Sequence, residues 1–195
     1  LTRTPDKKFW WFKGTDGSFT RPPKSGDKYK FIFNEGVGQD LWYQDPAARR
    51  VENSGLGANS IVTISDEYDW QDDAWSRPEW NRHVIYQLHP LRFTSRNLDG
   101  GSPVPPLAQV TEELDGDGTR DYLNDLGVTA IQLLPVSEFP TDTSWGYNPA
   151  FFYGVESHYG TPDDLKRLVD TAHQNGIAVL LDVVYNHGSG SDNIL

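Results

Sequence analysis

The stretch that decides the fold is IAVLLDVVYNH, Ile177 to His187. It begins with an uninterrupted series of apolar residues, which is typical of a strand buried on both faces of a parallel sheet. The series ends directly at Asp182, and an amide and an imidazole, Asn186 and His187, follow within five residues. Because ligands of parallel sheets bind where strands end at their C-terminal side, the segment predicts a polar site at a strand end. The alternative is that Asp182 and Asn186 only cap the next turn.

Two earlier runs, Val84–His89 and residues 128–134, are also predicted to be buried strands. A helix capped by Thr119 is predicted before the second strand, and a helix capped by Thr161 and ended by Gly176 is predicted before the third. Residues 91–118, and the stretch that contains residues 144–149, are predicted to be long loops. The order strand, helix, strand, helix, strand predicts an α/β domain.

Residues 1–82 have a different pattern, in which short aromatic or branched runs alternate with turn signals. The predicted strands are Phe9–Phe12, Tyr29–Asn34, Leu41–Tyr43 and Ser60–Ser65. Their spacing favours a small antiparallel β-sandwich. Four strands are fewer than a full sandwich needs, so this domain is predicted to lack its beginning. We therefore divide the chain into residues 1–82, a β-sandwich with a linker, and residues 83–195, an α/β domain.

Composition limits the partners and leaves the compartment open. The formal net charge of −11 argues against nucleic acid or an anionic membrane as a partner and suits a neutral substrate. No apolar run is long enough to span a bilayer, and the first residues carry no signal-peptide pattern, so the localisation stays unknown. The absence of Cys excludes disulfides and thiolate metal sites. The absence of Met, even at position 1, predicts a processed product or a piece of a longer protein.

Five segments of the chain are informative because of their order. They are VIYQLH (84–89), GVTAIQLLPV (127–136), SWGYNP (144–149), YGTPDDLK (159–166) and DVVYNH (182–187). Together they resemble motifs of the α-amylase superfamily of glycoside hydrolases, family 13. Upstream, LWYQDP (41–46) and WSRP (75–78) resemble the latter half of the carbohydrate-module-like β-sandwich that precedes many barrels of that superfamily. The resemblance begins at about residue 29 and implies the first three βα units of a (β/α)₈ TIM barrel, strands 1–3, after that sandwich.

The resemblance implies an α-glucan-active enzyme that hydrolyses α-1,4-glucosidic bonds of starch or maltooligosaccharides with retention. Branching, debranching and trehalose-releasing enzymes of the superfamily share the layout and stay open as alternatives. A retaining glycosidase needs one carboxyl group as nucleophile and one as acid. In the family these groups follow strands four and five, so we expect them beyond Leu195 and assign no catalytic residue here. The 195 residues alone are therefore predicted to be inactive.

The resemblance also implies roles for side chains that are present. Tyr147 matches the tyrosine that stacks on the sugar at the cleavage subsite, and His187 matches the histidine that binds hydroxyls of that sugar. Asp182 matches an acid that orients the cluster and is not the nucleophile. Trp145 either borders the sugar cleft or packs the loop. No cofactor is expected to be required, but Asn186 matches an asparagine that many α-amylases use as a calcium ligand, whereas branching and debranching relatives often hold no metal there.

Two other classes of function stay open beside the enzyme. In the first, the chain belongs to a non-catalytic glucan-binding protein whose exposed tryptophans stack on sugar faces. The candidates for that role, which could instead fill the core of the β-domain, are Trp42, Trp70, Trp75 and Trp80. In the second, the chain is an acidic α/β domain of unrelated function, which the five ordered motifs disfavour.

Three further histidines are predicted to be structural. His173 belongs to a predicted helix and lies beside apolar residues, and the same structural role is predicted for His158. His89 ends the first predicted strand near the mouth of the expected barrel, and we predict that it packs there without contacting a substrate.

Overall fold

The computed structural model describes residues 2–3, 10–11, 21–33, 41–55, 57–64, 68–94, 102–115, 121–141 and 144–190. In these ranges, six short strands precede residue 82. They are β1 (Thr2–Arg3), β2 (Trp10–Trp11), β3 (Lys28–Tyr29), β4 (Phe31–Phe33), β5 (Leu41–Tyr43) and β6 (Ser60–Ile61). They pair as three antiparallel ladders of two strands each, namely β1 with β2, β3 with β6, and β4 with β5. This arrangement does not confirm the predicted sandwich, and the division at residue 82 stays a prediction.

The N-terminal strands follow the sequence pattern in position but are shorter than predicted. The strand at Leu41–Tyr43 is confirmed, and the run from Tyr29 is divided between β3 and β4, with its last predicted residue outside the described part of the chain. β6 covers only the first two residues of the run predicted from Ser60, and the end of that run also lies outside the described residues. β2 lies within the run predicted at residues 9–12, whose two ends are not described.

Among the residues after 82 that the structure describes there are five strands and four helices. The strands are β7 (Ile85–Leu88), β8 (Ala130–Leu133), β9 (Ser137–Glu138), β10 (Phe151–Val155) and β11 (Ala178–Leu181). The helices are α1 (Pro90–Phe93), α2 (Pro106–Glu112), α3 (Tyr122–Asp125) and α4 (Pro162–Gln174). β7, β8 and β11 form one parallel sheet in chain order, and β9 pairs with β10 as an antiparallel hairpin. The three predicted parallel strands are thus confirmed, each within two residues of its expected bounds.

The parallel sheet brings the C-terminal ends of its strands to one level. Leu88, Leu133 and Leu181 are register partners across the three strands. The ladder continues one residue further, since the Leu134 amide donates to the Leu88 carbonyl at 3.0 Å and the Asp182 amide donates to the Leu133 carbonyl at 3.0 Å. The residues that follow the strands therefore meet at one rim, as the sequence predicted for Asp182.

The two faces of this sheet differ, because successive side chains of a strand point to opposite sides. Ile131 and Leu133 belong to the core that the sheet shares with the helices, together with Leu88 and Leu168. On the opposite face Ile85 is 46% exposed, and the described part of the chain does not cover it. The burial on both faces that the apolar runs predicted is therefore incomplete, since Ala130 and Ala178 on the face of Ile85 are buried and Ile85 is not.

Helix α4 forms as the sequence predicted. The Thr161 side chain accepts from the Asp164 amide at 3.2 Å, and Asp164 Oδ2 accepts from the Thr161 amide at 2.8 Å, which completes a capping box. Gly176 ends the helix with φ of +74°, a conformation that disfavours residues with a Cβ. None of the helices in the described ranges combines the length and apolar composition of a membrane span.

The two predicted long loops were wrong in part. Residues 91–118 contain most of α1 and all of α2, and the stretch before α4 contains the β9–β10 hairpin. Both helices begin at a proline, a residue that suits the first helical turn but also signals a loop in a Gly- and Pro-rich sequence. The helix predicted from Thr119 is α3 in the structure, and Thr119 itself lies outside the described residues.

Candidate functional site

Tyr147 and Asp182 meet at the rim of the parallel sheet. Asp182 directly follows β11, and its Oδ2 accepts a hydrogen bond of 2.6 Å from the Tyr147 hydroxyl, which comes from the loop before β10. Because the carboxylate stabilises the protonated phenol, this bond raises the pKa of Tyr147. The tyrosine side chain remains 41% exposed, so one part of the ring is fixed and another part faces solvent.

His187 joins the same cluster through the main chain of Tyr147. Its Nε2 lies 2.7 Å from the Tyr147 carbonyl oxygen, and Nε2 must carry the proton because a carbonyl oxygen only accepts. Two residues later the Ser189 amide donates to the Pro149 carbonyl at 2.8 Å. The segment after β11 is therefore attached to the 144–149 loop at two points, and His187 itself is exposed.

The 144–149 loop has a conformation that requires glycine at its centre. Gly146 has φ of +85°, and a Cβ at this position would lie 2.6 Å from the Pro135 carbonyl oxygen. The Ser144 hydroxyl donates to Asn148 Oδ1 at 3.0 Å and accepts from the Gly146 amide at 3.2 Å. Gly146 thus packs the loop on the segment after β8, which brings Tyr147 to the rim.

Trp145, the fourth residue with an expected role at the site, points away from this packing. Its side chain is 67% exposed, whereas the adjacent Gly146 is buried. An indole this exposed makes few contacts with the rest of the loop, so it contributes little to packing. Of the two roles that the resemblance implied for Trp145, bordering the sugar cleft agrees better with this position and stays a prediction.

His89 contacts the same loop, which the sequence analysis did not foresee. The residue follows β7, and its Nε2 lies 3.2 Å from the Ser144 carbonyl oxygen. Burial lowers the pKa of His89. A local signal existed, since a histidine at the end of a barrel strand lies where ligands bind, but no pattern paired it with residue 144.

Asn186, the expected calcium ligand, is exposed in the segment after β11. In the described ranges, no three or more His, Asp or Glu side chains are close enough to hold a metal ion together. Calcium also binds amide and main-chain carbonyl oxygens, so the role of Asn186 stays a prediction.

Two buried glutamates lie in the hairpin next to the rim, and sequence reasoning missed them. Glu138 and Glu156 are 1% and 0% exposed. Burial, with the neighbouring Glu156 as a second cause, raises the pKa of Glu138 to about 8, and burial also raises the pKa of Glu156. The Phe139 amide donates to Glu156 at 3.0 Å, and the Ser157 amide donates to Glu138 at 2.6 Å. Since no polysaccharide can reach carboxyl groups this deeply buried, they are not the carboxyl pair of a glycosidase.

The tryptophans proposed for sugar stacking differ in availability. Trp42, Trp70 and Trp80 are 59%, 40% and 74% exposed. Trp75 stacks on the His173 ring, with centroids 3.8 Å apart and planes inclined by 10°. One face of Trp75 is therefore already covered by α4, as befits a structural role.

Comparison with known protein families decides the membership of the chain. A family model described as the catalytic domain of α-amylase matches residues 87–194, more than half of the sequence. The chain belongs to the α-amylase family. The matched residues include β7 from Gln87, β8, β11 and the Tyr147–Asp182–His187 cluster, so the described rim lies within the catalytic domain of this α-amylase family chain.

Curated relatives and solved structures agree with the assignment. The chain is 35% identical over 170 residues to a malto-oligosyltrehalose trehalohydrolase of Saccharolobus solfataricus, covering 87% of the chain and 27% of the relative. It is likewise 35% identical to a 1,4-α-glucan branching enzyme of Pseudoalteromonas atlantica, and the match covers 84% of the chain and 22% of that relative. A candidate α-amylase from Salmonella typhimurium superposes with a TM-score of 0.71 at 31% identity, covering 87% of the chain and 26% of that structure. A Group B Streptococcus pullulanase in complex with maltotetraose superposes with a TM-score of 0.61 at 26% sequence identity. The match covers 83% of the chain and 25% of that structure. The α-amylase family chain thus spans about a quarter of the length of these relatives.

Proposed function

We propose that the chain is part of an α-glucan-active enzyme and that the rim around Tyr147, Asp182 and His187 binds a glucose unit of the substrate. The observation that carries the proposal is the joining of Tyr147 to both other residues at the C-terminal ends of parallel strands. Active sites of (β/α)₈ barrels lie at this end of the strands, and family membership makes such a barrel the expected context.

Each side chain has a chemical part in this proposal. The half-exposed ring of Tyr147 offers an apolar face to a sugar ring, and the bond to Asp182 fixes its orientation before a ligand arrives. His187 uses Nε2 for the Tyr147 carbonyl, and none of the described residues bonds to Nδ1, which leaves that nitrogen to accept from a sugar hydroxyl. Pre-ordering of these groups lowers the entropic cost of binding.

The reaction we propose is retaining hydrolysis of α-1,4-glucosidic bonds in starch or maltooligosaccharides. Branching, debranching and trehalose release are the alternatives, and they are supported by relatives that are named as a branching enzyme, a pullulanase and a trehalohydrolase. Product analysis distinguishes them. Maltooligosaccharides alone support hydrolysis, whereas new branch points, debranched chains or free trehalose each support one alternative.

We assign the nucleophile and the acid to none of the described carboxyl groups. Asp182 accepts from Tyr147, and Glu138 and Glu156 are buried. The whole protein that carries this chain is proposed to supply the two carboxyl groups that retention requires.

The proposal is tested by titrating the protein that carries this sequence with maltotetraose in a calorimeter. Replacing Tyr147 or His187 by Ala is expected to raise the Kd about tenfold, equivalent to about 1.4 kcal/mol. Leu126→Ala is the matched control, because this exposed apolar residue precedes β8 and so lies toward the opposite end of the strands. An unchanged Kd in both rim variants would show that the sugar does not bind there.

A further inference from the structure

We propose that His89 is a positioning residue for Tyr147, because its bond to the Ser144 carbonyl holds the start of the loop from which Tyr147 reaches the rim. The inference deepens the proposed function and rests on it, since it assumes that Tyr147 contacts the sugar. It replaces the packing role that the sequence analysis gave to His89.

The His89 ring is held firmly at the end of β7. Its main-chain carbonyl accepts from the Arg92 and Phe93 amides at 3.0 and 2.9 Å, so α1 fixes the backbone. The ring of Tyr159, which is fully buried, lies edge-on to the imidazole with centroids 5.8 Å apart. Because the ring is confined on these sides, the Ser144 carbonyl that binds its Nε2 is held in a fixed position relative to β7.

The 144–149 loop is attached at three of its main-chain carbonyls, and each attachment comes from a different residue. His187 binds the carbonyl of Tyr147 and the Ser189 amide binds the carbonyl of Pro149, both from the segment after β11. The bond from His89 to the Ser144 carbonyl, at 3.2 Å, is the attachment that comes from β7. Without it, the first half of the loop keeps its internal bonds but loses its link to the first strand.

The geometry also fixes the protonation state of the ring. Nε2 must donate to the Ser144 carbonyl, so it carries the proton. Nδ1 is buried and has no hydrogen-bond partner in the part of the chain that the structure describes. A second proton on Nδ1 would be a buried donor without an acceptor, and the positive charge of Arg92 on α1 also disfavours it. Tyr159, across from the ring, is protonated because burial raises its pKa, and it adds no charge.

A positioning role and a packing role predict different outcomes for two substitutions. His89→Phe keeps an aromatic ring of similar size but removes the donor, whereas His89→Gln keeps an N–H donor at a similar reach. If His89 only fills space, the phenylalanine variant should be the milder change. If it holds the loop, the glutamine variant should be the milder one.

The experiment measures maltotetraose binding by calorimetry in the protein that carries this sequence. We expect His89→Phe to weaken binding about fivefold and His89→Gln to change it less than about twofold, the range of a single neutral hydrogen bond. In a Tyr147→Ala background, His89→Phe should add less than about twofold. Unchanged binding by His89→Phe, or a full additional loss in the Tyr147→Ala background, would overturn the positioning role.

The outcomes separate the two proposals. If Tyr147→Ala alone leaves the affinity unchanged, the proposed function fails and this inference fails with it. If Tyr147→Ala weakens binding and His89→Phe does not, only the positioning role fails. Should His89→Phe not fold, the ¹⁵N spectrum of the wild-type histidine rings gives a separate readout. A neutral Nε2–H ring for His89 at pH 7 supports the proposal, and an imidazolium or an Nδ1–H ring contradicts it.

Discussion

At the level of single residues, the bond between Tyr147 and Asp182 combines two features that strengthen hydrogen bonds. The oxygens are 2.6 Å apart, and the acceptor is an acidic side chain, so the bond is charge-assisted when Asp182 is ionised. The two residues are 35 positions apart in the sequence, and the bond joins the loop before β10 to the end of β11. It therefore fixes the one aromatic ring on which the sugar-binding proposal depends.

The first prediction concerns the acidity of Tyr147. Asp182→Asn is expected to lower the pKa of Tyr147 toward its ordinary value, because the hydrogen bond to the carboxylate is the main cause of the raised pKa. Titration of ¹³Cζ-labelled tyrosine by NMR measures the effect, and Tyr147→Phe identifies the resonance. A Tyr147 signal that titrates at the same pH in both proteins would mean that the bond does not form.

The sequence predicted part of the site and missed the rest for a definable reason. Asp182 and His187 follow a recognisable buried strand, and Tyr147 lies in a loop motif that resembles one of the family, so their placement at one rim could be expected. The contact of His89 with Ser144 and the burial of Glu138 depend on how the 135–160 segment folds back on the sheet. Neither leaves a periodic or local pattern in the chain.

Among the secondary-structure elements, the β9–β10 hairpin stands out because it buries two acids. Glu138 in β9 and Glu156 after β10 are held by main-chain amides, and Glu156 also binds His158 Nδ1 at 2.8 Å. The hairpin also contacts the N-terminal region, since the Ser54 hydroxyl donates to the Phe139 carbonyl at 3.1 Å. Its stability should therefore depend on the protonation of these acids.

The second prediction is a loss of stability as the pH rises. The pKa of Glu138 is raised to about 8 in the folded protein, above its value in the unfolded chain. Its contribution is thus fully present below about pH 4.5 and is lost as the pH approaches 8, by at most about 1.4 kcal/mol per pH unit. Glu138→Gln should make the pH dependence of urea unfolding from pH 5 to 8 less steep, with the share of Glu156, whose pKa is also raised, remaining. The exposed Glu79→Gln is the control, and parallel pH curves for wild type and Glu138→Gln would contradict the prediction.

A second contact between elements ties the predicted linker, residues 68–78, to helix α4. Asp170, which is 4% exposed, accepts from the Tyr68 hydroxyl at 3.2 Å and from the Gln71 amide at 3.0 Å. Next to it, Asp72 Oδ2 lies 2.6 Å from His173 Nδ1. The structural role predicted for His173 agrees with this pairing. The partners are about a hundred residues apart in the sequence, so local patterns could not indicate them.

The third prediction tests this attachment. Asp170→Ala leaves two donors without their acceptor and should lower the free energy of unfolding by about 2 kcal/mol. Asp163→Ala, on the same helix with its side chain 62% exposed, should change it by less than about 0.5 kcal/mol. Urea unfolding of both variants measures the difference. Equal effects would show that the linker contributes no stability through Asp170.

In the molecule as a whole, β7, β8 and β11 form a three-stranded parallel sheet with one face packed against helices. Ile85 and Leu181 are 46% and 47% exposed, and the curated relatives are about three to four times as long as the chain. The strand order and the capped helix α4 followed from the sequence because buried strands and amphipathic helices have distinct periods. The short helices and the hairpin could not be predicted from the sequence, because their Pro- and Gly-rich segments are also typical of loops.

The fourth prediction concerns the 195 residues as an isolated chain. Exposed apolar side chains and unpaired strand edges should make this chain aggregate or melt without a sharp transition. It should also release no reducing sugar from soluble starch, because none of its acids is assigned to bond cleavage. Calorimetric melting and a reducing-sugar assay check the two points. A cooperative melt of monomeric material contradicts the first, and turnover contradicts the second.

The measurement that tests the central claim most directly is a crystal structure of the protein that carries this sequence with maltotetraose bound. We predict a glucose ring stacked on the face of Tyr147, with one of its hydroxyls within hydrogen-bond distance of His187 and the Tyr147–Asp182 bond intact. A maltotetraose chain that contacts neither Tyr147 nor His187 would contradict the account.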